Sequence, residues 1–235
     1  MNSISSSVHL IQDKINFNNS DLFFYHPEND PTAMGTIHGL VKNEHTKNLY
    51  KINFEKNDVI LDLGCNVGLV SMVLAKLFPQ TRIYAFDPSP LSIQCLKLGC
   101  NINDITNIQP FEFGVGIENK KNVKFFSNDE YISCLIEGKL MGPLDPRTKC
   151  SFLNLISIDE IFDSPLMNID RVKYLKIDIE SQEFELFYYL FEKRPDILDR
   201  IDFLNVEIHP LDESPKSQKL QNMLKEKFKD RISYA

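Results

Sequence analysis

Four ionisable side chains follow two apolar segments in the second half of the sequence: Asp178, Glu180, Glu207 and His209. Side chains alternate along a strand, so Glu207 and His209 share one face, and the two earlier acids do so if the extended geometry persists. A histidine or carboxylate here can take a proton from a bound hydroxyl. Oxygen ligands from Asp178 and Glu207, with His209 or water, also suit Mg²⁺ or Mn²⁺. The alternatives without chemistry are helix capping by the two earlier acids and a surface histidine before Pro210.

A glycine-bearing loop follows an apolar segment further upstream, and its candidate ligand-binding residues are Asp62, Gly64, Asn66 and Gly68. Glycine lets the backbone turn tightly and approach a ligand closely, next to the positive end of the following helix. The two glycines are spaced Gly-x-x-x-Gly, whereas a dinucleotide fingerprint needs Gly-x-Gly-x-x-Gly. The pattern therefore favours a ligand with a carboxylate or hydroxyls over a pyrophosphate. A simple strand-to-helix turn is the alternative.

A single acid, Asp87, ends the next apolar segment 19 residues after Gly68 and is followed by Pro88. An acidic side chain at this position can accept hydrogen bonds from both hydroxyls of an adenosine ribose. A surface aspartate in a turn is the alternative for Asp87 taken alone. Together, the glycine loop and Asp87 predict a nucleoside-binding cleft, with Asp62 and Pro88 among its residues.

The elements that must position these groups alternate between strand and helix. Strands are predicted at 59–64, 82–87, 107–113, 172–178 and 202–209, and helices at 69–78, within 88–101, at 183–193 and from 215. Such alternation implies parallel pairing with right-handed crossovers, and therefore a doubly wound, mostly parallel α/β fold. Ligands of this fold bind beyond the carboxyl ends of the strands, near the switch in strand order. The candidate residues lie near the carboxyl ends of predicted strands or just after them.

The rest of the chain is less regular. Residues 1–50 are predicted to form an N-terminal arm and a helix from Met34 to about Tyr50, which precede a domain at 51–235. Within that domain, residues 122–156 combine apolar pieces with turn residues and predict an insertion of strands and a loop. The stretch Ser157-Ile-Asp-Glu160 is a capping box that opens a short helix. With 235 residues in all, little chain is left for a separate substrate domain, so substrate recognition falls to the arm and the insertion.

The composition argues against several classes of protein. A net charge of −7 disfavours a nucleic-acid partner, because binding to phosphates favours clustered Lys and Arg. No run of about 18 apolar residues is available to cross a membrane, and the N-terminus lacks a secretory signal. Five cysteines without Cys-x-x-Cys spacing argue against a disulfide framework or a zinc site. We therefore expect a cytoplasmic protein that binds neither membrane nor nucleic acid.

The motifs resemble, in their order, the FkbM-type group of class I S-adenosylmethionine (SAM)-dependent methyltransferases. The similar segments are VILDLGCNVGLVSM at 59–72, IYAFDPSP at 83–90, TNIQPFEFGVG at 106–116, SIDEI at 157–161 and NVEIHP at 205–210. The most specific one, KIDIESQE at 176–183, is similar to the family signature Lys-Ile-Asp-Val-Glu-Gly-Ala-Glu. The resemblance covers residues 58–210 and implies a Rossmann-like domain that binds SAM.

The resemblance also implies roles for single positions. Gly64, Asn66 and Gly68 would shape the pocket for the methionine portion of SAM, and Asp87 would hold its ribose. The positions implied near adenine are Glu112, Phe113 and Gly114.

Two departures from the family pattern affect this expectation. Ser181 and Gln182 replace the usual Gly and Ala after Glu180, which puts the turn geometry and the room for an acceptor in question. The sequence also ends where the family forms its last hairpin, so we expect one closing strand to be missing or supplied otherwise. A last strand is predicted at 231–235.

The function implied by the resemblance is methyl transfer from SAM to a hydroxyl of a sugar, glycan or other small molecule. We favour direct base catalysis by His209 or a carboxylate over activation by Mg²⁺ or Mn²⁺. Three alternatives stay open at this point. A nicotinamide-dependent oxidoreductase is disfavoured by the missing third glycine, and RNA methylation by the acidic charge. A non-catalytic domain of the same fold, with or without the cofactor, is the third.

Overall fold

Six parallel strands form the central sheet of the computed structural model, which describes residues 9–28, 35–37, 39–40, 49–127, 135–136, 149–180, 182–209 and 215–234. The strands are β1 (Leu10–Phe17), β2 (Ser20–Pro27), β3 (Val59–Leu63), β4 (Arg82–Asp87), β5 (Ile108–Glu112), β6 (Gly114–Gly116), β7 (Lys120–Ser127), β8 (Leu135–Ile136), β9 (Lys149–Ser157), β10 (Val172–Ile177), β11 (Ile201–Val206) and β12 (Ile232–Tyr234). The helices are α1 (Leu69–Leu77), α2 (Pro90–Ile102), α3 (Ile158–Asp163), α4 (Glu183–Lys193), α5 (Pro195–Asp199) and α6 (Pro215–Phe228).

The central sheet has the strand order β12-β11-β10-β3-β4-β5. The order reverses between β3 and β10, which are hydrogen-bonded neighbours although helices and other strands separate them in sequence. A doubly wound sheet binds its ligand outside the carboxyl ends of the strands at this reversal. The predicted fold class is therefore confirmed, and the predicted cleft lies at the switch point between β3 and β10.

Alternation along β3 fills both layers of the sandwich. Val59, Leu61 and Leu63 pack on one face with residues of α3, α4 and α6, whereas Ile60 packs on the other face with residues of α1. All five residues of β3 are buried, as expected for a strand that is covered on both sides. Because the period is two, Asp62 must lie on the face of Ile60, under α1.

The N-terminal arm includes an antiparallel hairpin of β1 and β2. Leu22 and Phe24 of β2 are buried in one cluster with Leu96 of α2. The side chain of Asn103, just after α2, also accepts a hydrogen bond from the backbone N–H of Phe23 at 3.0 Å and donates one to its carbonyl. Of the predicted helix from Met34 to Tyr50, residues 35–37 and 39–40 are helical, Leu49–Lys51 form a 3₁₀ turn, and the rest lies outside the described residues.

The predicted insertion contributes to a second sheet, of order β6-β9-β7-β8. β6 pairs with β9 in parallel, and β7 pairs with both β9 and β8 in antiparallel fashion. The predicted N-cap is confirmed, because the hydroxyl oxygen of Ser157 accepts a hydrogen bond from the backbone N–H of Glu160 at 3.0 Å. The reciprocal half of the capping box is replaced, because the backbone N–H of Ser157 donates to Oδ1 of Asn119 at 2.7 Å. The predicted last strand is β12, which pairs in parallel with β11. No helix in the described ranges is long and apolar enough to cross a membrane.

Candidate active site

The loop after β3 requires glycine at two places. Gly64 and Gly68 have φ of +81° and +82°, in the left-handed region that side chains with a Cβ rarely adopt. A Cβ on Gly64 would lie 1.7 Å from the carbonyl oxygen of Asp178, the first residue after β10. The loop after β3 therefore lies directly against the loop after β10. The glycine pattern that predicted close approach to a ligand also permits close approach between two loops of the cleft.

Asp87 at the end of β4 is tied to the glycine loop by its carboxylate. One carboxylate oxygen accepts a hydrogen bond from the backbone N–H of Asn66 and the other from that of Ser89, both at 2.9 Å. Burial raises the pKa of Asp87 to about 6, although these two hydrogen bonds oppose the rise. Each carboxylate oxygen can accept a further bond, so Asp87 keeps acceptor capacity for the hydroxyls of a ligand.

Asp62 does not face the cleft in the way that the sequence analysis expected. It is completely buried, and one carboxylate oxygen accepts a hydrogen bond from the Ser71 hydroxyl of α1 at 2.6 Å. The other lies 3.3 Å from the ammonium nitrogen of Lys176, its direct neighbour in the β3–β10 register. Strand alternation explains the difference, because position 62 points under α1. Asp62 therefore supports the loop from below instead of offering its side chain to a ligand.

Lys176 connects the two sides of the cleft. The residue is 3% exposed. Its ammonium group donates a hydrogen bond to the carbonyl oxygen of Gly64 at 3.1 Å. It also lies 3.4 Å from a carboxylate oxygen of Asp178. Burial alone would lower the pKa of Lys176, but Asp62 and Asp178 raise it above its ordinary value, so the group stays charged.

The residues predicted near adenine lie at the neighbouring strand. Glu112 is exposed and stands opposite Asp87 in the β4–β5 register. Phe113 is partly buried against the core, and Gly114 is buried, with Leu155 of β9 only 2.7 Å from where its Cβ would be. Pro88 lies on the same side of Gly114, 3.4 Å from that position. Glu112 is therefore placed beside Asp87, whereas Gly114 is the first residue of β6 in the second sheet and pairs with Leu155 of β9.

The four predicted catalytic residues come together around the imidazole of His209. Its Nε2 lies 3.5 Å from a carboxylate oxygen of Glu207, 3.5 Å from one of Glu180 and 3.9 Å from one of Asp178. The side chains of Asp178 and His209 are each 25% exposed, and that of Glu207 is 38% exposed. The four groups therefore form one half-buried cluster that solvent or a ligand can reach.

The route by which Glu180 joins this cluster differs from the expectation. β10 ends at Ile177, and Glu180 has φ of +51°, so strand alternation does not extend from Asp178 to Glu180. A left-handed turn brings the Glu180 carboxylate to His209 instead. The capping alternative fails for Asp178, because the N-cap residue of α4 is Gln182. Ser181 and Pro210 lie outside the described residues.

The cluster shifts the protonation of its members. Burial lowers the pKa of His209, but the hydrogen bond to Glu183 and the charges of Glu180 and Asp178 outweigh it, and the pKa rises to about 9. Burial and the charge of Asp178 raise the pKa of Glu207, which His209 partly offsets. At neutral pH His209 therefore carries a proton on both ring nitrogens: Nδ1 donates a hydrogen bond to Glu183 at 3.3 Å, and Nε2 faces the other carboxylates as an ion pair.

Three of these residues could also hold a cation. One ligand atom each from Asp178, Glu207 and His209 lies within 4.8 Å of the others. Two carboxylates and an imidazole are a donor set that Mn²⁺ accepts, and Mg²⁺ prefers the oxygens. The distances are thus compatible with either activation route considered from the sequence.

Comparison with known proteins assigns the domain that holds this cleft. The family model described as the methyltransferase FkbM domain matches residues 62–231, which include the end of β3, the glycine loop and the acid–histidine cluster. The chain belongs to this family. The FkbM domain thus covers most of the central sheet together with the second sheet.

Two curated relatives are methyltransferases by name. "Methyltransferase 1" of Beauveria bassiana is 20% identical over 161 residues, which are 63% of this chain and 64% of that protein. "Methyltransferase sdnD" of Sordaria araneosa is 24% identical over 171 residues, or 63% of this chain and 66% of that protein. The chain therefore spans slightly less than two thirds of either relative. A solved precorrin-6y C5,15-methyltransferase of Geobacter metallireducens aligns over 78% of this chain and 69% of its own, at 14% identity and a TM-score of 0.41.

Two buried charges of the FkbM signature were not predicted from the sequence. Lys176 and Glu183 are the first and last residues of KIDIESQE, and neither was given a role there. A period-two reading of β10 puts Lys176 on the face of Asp178, which would have suggested their contact. The place of Glu183 had no comparable sign, because its contact with His209 joins the start of α4 to the end of β11.

Proposed function

We propose that this chain is a SAM-dependent methyltransferase that methylates a hydroxyl oxygen of a sugar, glycan or other small molecule. The observation that carries the proposal is that two kinds of site lie together where the strand order reverses. A glycine loop and an acid suited to a nucleoside follow β3 and β4, and an acid–histidine cluster follows β10 and β11. Methyl transfer needs both a nucleoside cofactor and a group that removes a proton from the acceptor.

The cofactor side supports SAM over a dinucleotide. The loop has two left-handed glycines at Gly-x-x-x-Gly spacing, without the third glycine of a dinucleotide fingerprint. Asp87 offers acceptor capacity for ribose hydroxyls, and Glu112 stands opposite it in the sheet. We assign ribose binding to Asp87 and the methionine portion to the loop from Gly64 to Gly68. The backbone at the start of α1 carries the positive helix end that favours a carboxylate.

Methyl transfer is an in-line displacement, and the enzyme must hold acceptor oxygen, methyl carbon and sulfur in line. The acceptor O–H loses its proton, a new O–CH₃ bond forms, and the S–CH₃ bond breaks to give S-adenosylhomocysteine (SAH). We assign removal of the acceptor proton to the carboxylate of Glu207, which is the most exposed of the cluster. His209 is already protonated at neutral pH and therefore serves as a hydrogen-bond donor and positive charge instead of the base.

The first experiment measures SAH binding by isothermal titration calorimetry, with NAD as the comparison ligand. We expect SAH to bind and NAD not to bind. The variant Asp87→Ala should weaken SAH binding at least about tenfold, because two ribose hydroxyls lose their acceptor. No binding of SAH at millimolar concentration by the folded protein would contradict the proposal.

The second experiment follows SAH release from SAM with a panel of mono- and oligosaccharides and small alcohols as acceptors. Glu207→Gln should keep SAH affinity and lose turnover by about a hundredfold or more. Each reaction is run with and without EDTA. Loss of wild-type turnover in EDTA, with recovery in Mn²⁺ or Mg²⁺, would replace direct base catalysis by cation activation. Turnover on RNA but on none of the small hydroxyl acceptors would overturn the proposed substrate class.

A further inference from the structure

We infer that Glu183 is the positioning residue that orients His209 in this site. The inference rests on the proposed function for its meaning, since it assigns a residue to the acceptor side of the proposed cleft. Glu183 lies at the start of α4, whereas His209 follows β11, and the Glu183 side chain does not reach the surface. Its carboxylate is 0% exposed, at the first residue of α4.

The Glu183 carboxylate makes two contacts through one oxygen. Oε1 accepts a hydrogen bond from the backbone N–H of Ile179 at 2.9 Å and lies 3.3 Å from Nδ1 of His209. The first contact fixes the carboxylate against the loop after β10, and the second reaches the loop after β11. One buried side chain therefore joins the two loops that carry the acid–histidine cluster.

This contact decides which imidazole nitrogen is available. With Nδ1 bound to Glu183, Nε2 is the atom directed to Asp178, Glu180 and Glu207, at 3.9, 3.5 and 3.5 Å. A histidine ring held through one nitrogen has its orientation set by that partner, which fixes where the other N–H points. Without Glu183, the ring could rotate and present either nitrogen to the acceptor side.

Burial explains why the partner is a carboxylate. An ionised group without exposure to water is unfavourable unless charge or hydrogen bonds compensate for it. The other oxygen, Oε2, has no hydrogen-bond partner among the described residues, so compensation comes through Oε1. Protonated His209 supplies the opposite charge. Phe184 and Phe187 of α4 are buried in the core, which anchors the helix that carries Glu183.

The test compares Glu183→Gln with Glu185→Gln. The amide of Glu183→Gln keeps the size of the side chain and an oxygen for Ile179, but it loses the charge. Glu185 lies on the same helix and is exposed, so its variant controls for a changed charge on α4. Long-range ¹H–¹⁵N NMR follows both ring nitrogens of His209, and their signals are assigned by their loss in His209→Asn.

We expect the titration midpoint of His209 to fall by about one pH unit or more in Glu183→Gln and to stay within about 0.2 in Glu185→Gln. The proton of Nδ1 should exchange faster in Glu183→Gln alone, because a neutral amide oxygen is a weaker acceptor than a carboxylate. The carboxylates that face His209 from the other elements, those of Asp178, Glu180 and Glu207, remain in both variants. SAH affinity, measured on the same samples, should change less than about twofold in either variant.

Unchanged His209 signals in a folded Glu183→Gln protein would overturn the inference. Equal changes in both variants would also overturn it, because they would reflect only the net charge of α4. If the wild-type protein fails to bind SAH while the His209 signals behave as expected, the proposed function fails and the positioning contact stands. If Glu183→Gln does not fold, Glu183→Asp takes its place in the test, because its shorter carboxylate should keep the charge and lose the contact with Nδ1.

Discussion

Backbone groups form one half of the cleft, and charged side chains form the other. In the half at β3 and β4, backbone groups shape the cleft. Two glycines have left-handed φ, the carbonyl oxygen of Phe86 accepts hydrogen bonds from the N–H groups of Gly64 and Cys65, and further N–H groups hold the Asp87 carboxylate. The half at β10 and β11 is shaped by side-chain charge, with four carboxylates around His209. A backbone cradle suits a ligand that is the same in every turnover, and a charged cluster suits a group whose protons must move.

The comparison also shows where the halves depend on each other. Lys176 bonds to the carbonyl of Gly64 on one side and lies beside Asp178 on the other. The same two loops touch where a Cβ on Gly64 would meet the Asp178 carbonyl. A change on the backbone half should therefore disturb the charged half when it acts through this contact, and stay local when it does not.

The largest effect is expected from Gly64→Ala. A methyl group at φ of +81° and 1.7 Å from the Asp178 carbonyl oxygen cannot be accommodated without moving one loop. We expect the free energy of unfolding to fall by about 4 kcal/mol or more, or the protein not to fold. Urea denaturation measures the loss. Gly116→Ala is the control, since its nearest atoms would be 3.6 and 4.0 Å away. Comparable losses in the two variants would show that the loop contact has no special role.

A somewhat smaller effect is expected from Lys176→Met, which removes the charge between the halves. Asp62 would stay fully buried without its cation, and breaking such a pair costs about 3 kcal/mol or more. The double variant Asp62→Asn with Lys176→Met should recover at least half of that loss, because no buried charge remains unpaired.

The control for Lys176 lies on the same strand. Lys173 pairs with Asp202 at 3.4 Å and is 24% exposed, so Lys173→Met should lower the free energy of unfolding by less than about 1 kcal/mol. Equal losses for Lys173→Met and Lys176→Met in urea denaturation would refute the linking role. So would a double variant that is less stable than Lys176→Met.

The backbone half was the easier one to predict from sequence. The strands before Gly64 and at Asp87 are short apolar runs that end in glycine or acid, and their bounds agree with the structure to within a residue. Local pattern suffices there, because glycine spacing and strand ends are properties of consecutive residues. Asp62 was expected in the cleft because it belongs to the loop motif, but its position on the alternating strand places it under α1.

Four of the five residues of the charged half were predicted, whereas Glu183 and the local geometry were not. Asp178, Glu180, Glu207 and His209 do meet, as their places after two neighbouring strands suggested. The left-handed turn at Glu180 is not encoded by a glycine, so sequence gave no sign of it. Glu183 was read as the start of a helix, and its contact with His209 depends on the packing of α4 against the sheet, which no local pattern expresses.

The smallest effect expected is a pH dependence that distinguishes the two halves. The pKa of Asp87 is raised to about 6, and the ionised form is the better acceptor for ribose hydroxyls. SAH affinity should therefore rise with pH through 6 and then level off, and it should be about tenfold weaker at pH 5 than at pH 7. Calorimetry across this range measures it, with Asp87→Asn as the variant that should bind weakly at every pH. His209→Asn should keep the wild-type profile, because its own titration near pH 9 lies on the charged half. A profile that flattens in His209→Asn instead of Asp87→Asn would assign cofactor binding to the charged half and reverse the comparison.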